Sequence, residues 1–470
     1  MKEKYSKSTN THDDNITLDN NFSNFLSSLP NKIQSGDYKV AVYGLGHVGS
    51  PIAAAWLRAG ASVIGVDKSQ NILQKASEGK THIPEPGVGE AYKKGLDNQK
   101  FLVYNDLIKA SQDSFLKMIC VPVLAADGTA ELSAVKNVAT AIGKGLKKND
   151  VVTLNPSVPP GTTEKVVIPI LQKHSHLKVE DDFYILYNPE RIYEGRAIED
   201  IEERYHGIIS GYGKKSIEIG TRLFSIIYQK GIISMSSIKS AETEKLFEGV
   251  YRDVNIALAN ELAIFSEKLG INFWEVRDAA NSQPFCHIHK PGIGVGGACI
   301  PVYPQFILKT AKSLKVNCTL TKYSRSLNNS MPKYCVRQAI KLLNSKNVDS
   351  TKITLLGLAF RGGVSDTRLS PTYEVIKELR KLKVKEIRVH DPLVKNDKFI
   401  SKYDNIHLFN NFSESIVETD LIIIIADHDE YKKLPFDKLQ DIPLYDGRGV
   451  FNKDNIVLDK YSSIGNTVWH

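Results

Sequence analysis

A cysteine set among glycines and a glycine turn set between apolar runs are the residues of this sequence whose types and spacing could do chemistry. Cys299 stands in PGIGVGGACIP, residues 291–301. Glycines there remove side chains around the thiol and let a ligand and the backbone approach it closely. A lone cysteine is by default a small buried hydrophobe, but this loop favours a nucleophilic thiol. The other four, Cys120, Cys286, Cys318 and Cys335, lie in apolar or ordinary contexts and keep the packing role.

The second constellation comes early in the chain. Gly44, Gly46 and Gly49 form a G-x-G-x-x-G pattern, with His47 and Val48 inside it, after the apolar run KVAVYG and before SPIAAAWLRAG. Asp67 closes the next apolar run, SVIGVD. In such a unit the first glycine makes the tight turn, the second admits a pyrophosphate and the third packs helix against strand. The helix N-terminus then faces the phosphates. An acid at Asp67 accepts hydrogen bonds from the adenosine ribose and repels a 2′-phosphate, which selects NAD over NADP; Lys68 beside it is the opposing charge.

Elements that could position these groups follow from periodicity. Strand-like runs at KVAVYG, SVIGVD, 117–123, 150–158 and 183–190 alternate with helical patterns such as 131–147, which implies βαβ units and a parallel sheet. From Ser237 a run broken only by Gly249 and closed by Gly270 reads as one long, mostly buried helix. A second α/β stretch opens at KITLLGLAF and continues through EIRVHDP, DLIIIIAD and IPLYDGRG. The expected fold is therefore α/β: two Rossmann-like doubly wound domains joined by a central helical domain with a long helix. The expected boundaries are 1–37, 38–235, 236–345 and 346–470. The first of these segments is polar, with a weak stripe of Phe22, Phe25, Leu26 and Leu29 before Pro30, and reads as a flexible extension ending in one short helix.

Composition narrows the partners. The 470 residues are 42% hydrophobic and 24% charged, ordinary for globular domains. Lys and Arg exceed Asp and Glu by 61 to 53, a net charge of +8, without any block of like charge. That excess suits phosphate-bearing small molecules and gives no basic stripe for nucleic acid. An odd number of scattered cysteines, five, without a C-x-x-C pair indicates neither a disulfide framework nor a zinc site, so no metal is expected. A polar N-terminus and the lack of a long apolar run point to a cytoplasmic protein with no membrane partner.

Seven motifs in order carry a resemblance over about residues 39–455. They are GLGHVG, SVPPGTT at 157–163, NPERIYEG at 188–195, AETEKLFEGVYRDVNIALANE at 241–261, PGIGVGGACIP, LGLAFRGGVSDTRLSP at 356–371 and DGRG at 446–449. In these the chain resembles the UDP-glucose/GDP-mannose dehydrogenase family, and its UDP-N-acetylhexosamine branch most. The resemblance implies NAD-dependent oxidation of a sugar C6 hydroxyl to a carboxylate. It makes Cys299 the covalent nucleophile, passing through thiohemiacetal and thioester, with Lys245 at the developing oxyanion. Glu190 stands at the family's acid after the asparagine-proline pair, with Glu194 a second carboxylate. Val123, Ser157 and Arg368 fall on cofactor positions beside Gly44, Gly46, His47, Val48, Gly49 and Asp67. Arg191, Ile192, Arg252, Gly296, Phe360 and Arg361 fall on nucleotide-sugar positions. A homodimer through the central domain is implied too.

Three departures lie inside this supposed site. The family's asparagine after the catalytic lysine is Gly249, and loss of such a donor weakens transition-state stabilisation by about 3 kcal/mol. A glycine within a helix also costs about 1 kcal/mol against alanine. The aspartate after the cysteine is Tyr303, which cannot act as a base near neutral pH. The branch's H-P-R motif carries Gln283 and Phe285 instead of histidine and arginine, with His287 and His289 close behind. The alternative to an active dehydrogenase is therefore an altered homologue that binds NAD and nucleotide sugar without normal turnover.

Overall fold

The computed structural model describes residues 20–126, 128–344, 346–434, 439, 442–451 and 460–466. Its first sheet has eight strands. From edge to edge they run Ile232–Ser234, Gly207–Gly211, Tyr184–Tyr187, Val151–Leu154, Leu116–Ile119, Val40–Tyr43, Val63–Val66 and Phe101–Tyr104. The central strands are buried along their whole length, as short Val- and Ile-rich runs covered on both faces require. Helix Gly49–Arg58 covers one face and helix Ser133–Gly145 the other.

The sheet is parallel except where Tyr184–Tyr187 meets Gly207–Gly211, a departure from the all-parallel expectation. The cause is the connection. Residues between those strands form only the helical turns Ala197–Glu199 and Asp200–Arg204, which pack on helix Gly49–Arg58 and return the chain from the same end of the sheet.

The second sheet has six parallel strands in the order Ile406–Phe409, Glu386–His390, Lys352–Leu356, Leu421–Ile424, Leu444–Asp446, Tyr461–Ser463. Numbered within its own domain this is 3-2-1-4-5-6, and the first six strands of the larger sheet follow the same order, the doubly wound pattern expected from the sequence.

The segment before the first sheet differs from its expectation. Asn20–Ser35 is a helix that runs through Pro30 and buries Leu29 and Ile33. Phe22 meets the ring of Tyr184 at 6.4 Å, Phe25 meets Phe115 at 6.3 Å, and Tyr38 stacks on Phe115 at 4.1 Å. The stripe read as weak is the face of this helix that the first domain buries, and burial outweighs the poor helix propensity of its Asn and Ser residues. The rest of the expected extension, residues 1–19, lies outside the described residues.

Between the sheets lies the long helix Ile238–Leu269. Ser237 caps it, accepting from Ser240 N at 3.1 Å, and Gly270 ends it at φ +75. It packs on helices Thr319–Lys341 and Tyr303–Ser313. Its buried face carries a row of polar residues, three of which bind helix Thr319–Lys341 and all but one of which also reach a loop. Glu242 accepts from Gly161 N and, at 2.8 and 2.7 Å, from Thr163 N and Oγ1. Asp253 pairs with Arg325 at 2.5 Å and accepts from Asn328 at 2.8 Å. Asn260 donates to Asn328 Oδ1 at 2.9 Å and accepts from Gly292 N at 2.8 Å. Glu267 accepts from Gly465 N at 2.8 Å and from Tyr334.

Removing one of these buried partners leaves another without one, at a cost of about 1–3 kcal/mol. Asn260→Ala is therefore expected to lower the thermal unfolding midpoint clearly, because Gly292 N and Asn328 Oδ1 lose their partner together. A melting curve matching that of the unmodified protein would contradict this.

Candidate functional site

The glycine turn is built as its residue types require. Gly44 lies at φ +98, and a Cβ there would sit 3.1 Å from the Cys120 backbone. At Gly49 a Cβ would stand 1.8 Å from Gly44 O, so the helix can start against the strand only without a side chain. Gly46 has open space where its Cβ would be. Helix Gly49–Arg58 begins at Val48 without a side-chain cap, so its positive N-terminal end is not masked by a capping side chain. Asp67 accepts from Leu45 N and Ser69 N, each at 2.9 Å, one bond to each carboxylate oxygen. Both oxygens keep a lone pair for a ribose hydroxyl. An open cradle, an uncapped helix start and a half-used acid fit NAD.

The second domain repeats the turn but closes it. Asp391 follows strand Glu386–His390 as Asp67 follows Val63–Val66, yet it accepts from Leu358 N and Ala359 N at 2.8 Å, Leu393 N at 2.9 Å and Val394 N at 3.0 Å. His428 Nε2 lies 3.2 Å away as well. Such bonding, His428 foremost among the favourable causes, outweighs burial and holds this carboxyl below its ordinary range. No oxygen of Asp391 is left for a ribose.

Cys299 sits where the long helix, the glycine loop and the first domain meet. Asn260 holds the start of that loop at Gly292, Gly447 O accepts from Ile293 N at 2.8 Å, and Arg368 O accepts from Gly297 N at 2.9 Å. Arg448 of DGRG donates to Ile425 O at 2.6 Å and Phe360 O at 3.1 Å, so this motif acts as a clamp under the loop. Gly296 lies against Leu369 O and Phe360 with no room for a side chain. Burial pushes the Cys299 thiol above its ordinary value, and Glu190 adds to that; Lys245, Tyr303 and Arg252 pull it down.

Lys245 is buried and donates to Glu190 O, with Glu190 Oε1 at 3.6 Å and Glu248 Oε2 at 3.9 Å. Glu190 in turn accepts from Ile192 N at 3.1 Å. The loop that carries Glu190 is fixed from below. Asn188 donates to Ile208 O at 2.9 Å and accepts from Asn155, and Glu85 accepts from Gly195 N at 2.8 Å and Ala197 N at 2.6 Å. Glu194 stands 2.7 Å from His47.

A cavity of about 1080 Å³ opens beside Lys245, lined by Arg191, Ile192, Glu248, Tyr251 and Arg252 among others. Arg191 pairs with Glu248 at 2.9 Å and Arg252 lies 3.9 Å from the same carboxylate. Cys299, Glu190, Phe360, Arg361, Gly296, Arg368, Val123 and Ser157 are not part of that lining. Arg361 joins it through the loop, stacking on Tyr193 at 4.2 Å and donating to Glu194 O at 3.1 Å. Arg368 is held by Asp366 at 2.6 Å, and its backbone carbonyl accepts from Gly297 N in the glycine loop. Val123 packs near Cys299 in one apolar cluster with Leu246, Val302, Tyr303 and Phe306. Phe285 is largely exposed, while His289 meets the ring of Tyr251 edge-on at 6.1 Å. Among the described residues no group of three or more His, Cys, Asp or Glu could hold a metal ion, and no helix is long and apolar enough to cross a membrane.

The sequence reading missed Glu85, Glu242, Asn155 and Asn260, which hold the loops. Their signal was present only as acids and amides inside apolar patterns. It also treated Gly249 and Tyr303 as two separate losses, whereas they are in contact: a Cβ on Gly249 would lie 2.4 Å from Tyr303 Cδ2 and 2.9 Å from its Cβ.

An NAD-type cradle in one α/β domain, a closed copy of that turn in the other and a helical segment between them are the architecture of a dinucleotide-dependent dehydrogenase. The family models for the NAD binding, central and UDP binding domains of the UDP-glucose/GDP-mannose dehydrogenase family match residues 38–228, 239–330 and 354–453. A UDP-N-acetyl-D-mannosamine dehydrogenase of Campylobacter jejuni is 34% identical over 414 residues, 85% of this chain and 98% of that protein. A solved UDP-D-ManNAc dehydrogenase from Pyrococcus horikoshii superposes with TM-score 0.83 at 30% identity, covering 92% of this chain and 100% of that one. A UDP-glucose dehydrogenase of Pyrobaculum islandicum reaches the same TM-score at 25% identity, covering 91% and 98%. The chain belongs to the UDP-glucose/GDP-mannose dehydrogenase family. It is an NAD-dependent oxidoreductase acting on a UDP-sugar.

Two outcomes test this geometry. Gly249→Ala is expected to destabilise the protein, since overpacking costs about 1–3 kcal/mol against the roughly 1 kcal/mol that alanine gains in a helix. The sign should reverse in a Tyr303→Ala background, read from denaturation midpoints. The second concerns Glu244, whose carboxyl is pushed up to about 6 by burial and by Glu248. Between its ordinary 4.5 and about 6 the folded chain holds the extra proton, so this group's contribution to stability falls as pH rises through that window. Glu244→Gln should flatten that slope in melts across the same range.

Proposed function

We propose that this protein oxidises the C6 hydroxyl of a UDP-N-acetylhexosamine, with UDP-N-acetylmannosamine the first choice, to the uronate through a Cys299 adduct. The observation that carries this is the buried Lys245–Glu190 pair at 3.6 Å, with the charges of both acting on the Cys299 thiol. The sugar is supported by the Campylobacter and Pyrococcus relatives, which act on UDP-N-acetylmannosamine by name. Equal structural similarity to a UDP-glucose dehydrogenase means that the fold itself does not choose the hexose.

In this reading Gly44, Gly46, His47, Val48, Gly49 and Asp67 hold the dinucleotide, joined by Val123, Ser157 and Arg368. NAD, when bound, supplies the hydride acceptor for each oxidation. Arg191, Ile192, Arg252, Gly296, Phe360 and Arg361 bind the nucleotide sugar, the arginines meeting its phosphates. Lys245 stabilises the oxyanion at the reacting carbon. The Cys299 sulfur adds to the aldehyde carbon as a thiohemiacetal; after the second oxidation that carbon is a thioester, which water cleaves to return thiol and carboxylate. Glu190 orients Lys245 and the attacking water.

We assign the NAD domain to 38–235, the central domain to 236–345 and the UDP-sugar domain to 346–470. Phe247, Tyr251, Leu258, Phe265 and Leu269 stand exposed along the long helix, which supports a homodimer through it. All five cysteines are free thiols, which supports a cytoplasmic setting.

Incubation with NAD and a panel of UDP-sugars should give two NADH per uronate, with Cys299→Ala abolishing acid formation. Uronate at unchanged stoichiometry in that variant would exclude the covalent route. Silence with every sugar would favour a chain that binds NAD and nucleotide sugar without turnover. Leu258→Asp with Phe265→Asp should turn a dimer into a monomer by light scattering, and a monomeric unmodified protein at micromolar concentration would refute the interface.

A further inference from the structure

Glu248 stands on the long helix between Lys245 and Arg252, and all three line the cavity. Spacings of three and four residues put them on one face of the helix. The Glu248 carboxylate accepts from Arg191 Nε at 2.9 Å, and its backbone carbonyl accepts from Arg252 Nε at 3.2 Å. One residue therefore binds two arginines, the first through its side chain and the second through its main chain. Lys245 Nζ and Arg252 Nη2 stand farther off, each 3.9 Å from Glu248 Oε2.

A guanidinium bound through Nε keeps its two terminal nitrogens for a ligand. The hydrogen bonds that Arg191 and Arg252 make among the described residues use Nε alone. Arg191 is steadied a second time, because its guanidinium carbon lies 5.7 Å from the centre of the Tyr205 ring, which lines the same cavity. The ring limits tilt of the guanidinium plane, and the bond from Nε limits rotation within it. Two such forks on one cavity wall suit the oxygens of a diphosphate, which guanidinium groups bind two at a time.

We propose that Glu248 is a positioning residue of the sugar site: holding Arg191 by its carboxylate and Arg252 by its carbonyl, it presents both forks to the diphosphate of the nucleotide sugar. The inference rests on the reading that these arginines bind that ligand. An acid in the wall of an anion site is otherwise unfavourable, since like charges brought together oppose binding. Here the acid is paired with a guanidinium, and the order it imposes is freedom that the arginine does not lose when the ligand arrives.

The test is a calorimetric titration of the full-length protein with UDP, with NAD titrated separately as the reference. Glu248→Ala is expected to weaken UDP binding about tenfold and to change NAD binding by less than about twofold. Glu248→Gln keeps an acceptor for Arg191 Nε and should recover most of the loss. Because the effect runs through Arg191, Glu248→Ala should cost less than about twofold in an Arg191→Ala background. UDP affinity unchanged by Glu248→Ala would overturn the proposal, as would equal losses with and without Arg191. A Glu248→Gln variant as weak as Glu248→Ala, or NAD affinity falling in step with that for UDP, would overturn it too. Only binding is measured, so these failures are distinct from failure to oxidise any UDP-sugar; an unmodified protein that does not bind UDP would end both the inference and the reading beneath it.

Discussion

One helix face organises this molecule. Along Ile238–Leu269, buried groups at Glu242, Lys245, Asp253, Asn260 and Glu267 bind three surrounding loops, the segment at Gly465 and helix Thr319–Lys341, and Gly249 makes room for the ring of Tyr303. Burying such groups is unfavourable unless every one finds a partner. Here Glu242, Lys245 and Asn260 find theirs in the loops that surround Cys299, at Gly161, Thr163, Glu190 and Gly292. The same bonds that make the helix tolerable in the interior therefore fix the SVPPGTT, NPERIYEG and PGIGVGGACIP loops against each other.

That constraint also joins the two α/β domains. They share a strand order and a turn after the first strand, with an aspartate after the second strand bonded back to it. They differ in how much of that aspartate is used. Asp67 keeps lone pairs free beside an open cradle at Gly46, whereas Asp391 is saturated by four backbone donors and His428. A shared architecture thus carries a dinucleotide site in one copy and a closed scaffold in the other, and local bonding rather than fold makes the difference.

Much of this was legible in the residues. The long helix starts at Ser237 and stops at Gly270, where cap chemistry places its ends, and the βαβ pattern yields the doubly wound sheets. Less legible were features in which distant segments meet. The antiparallel pairing of Gly207–Gly211 depends on where a connection packs, and the helix through Pro30 depends on the surface it covers. Glu85 and Glu242 look like any surface acid in the sequence, because what they hold is backbone, and backbone donors carry no sequence signature.

Gly249 and Tyr303 mark the division most clearly. The sequence by itself determined the chemistry on offer: a thiol among glycines, a dinucleotide turn with its acid, and motifs in family order. It did so because those functions need particular residue types at fixed local spacing. It also showed that an amide and a carboxylate were missing. Only the tertiary structure decided that the two replacements are one contact, with the ring of Tyr303 filling what Gly249 leaves empty and its hydroxyl bonded to Ser157. Those three residues lie far apart along the chain, and their meeting is set by the packing of the long helix, which no local pattern records.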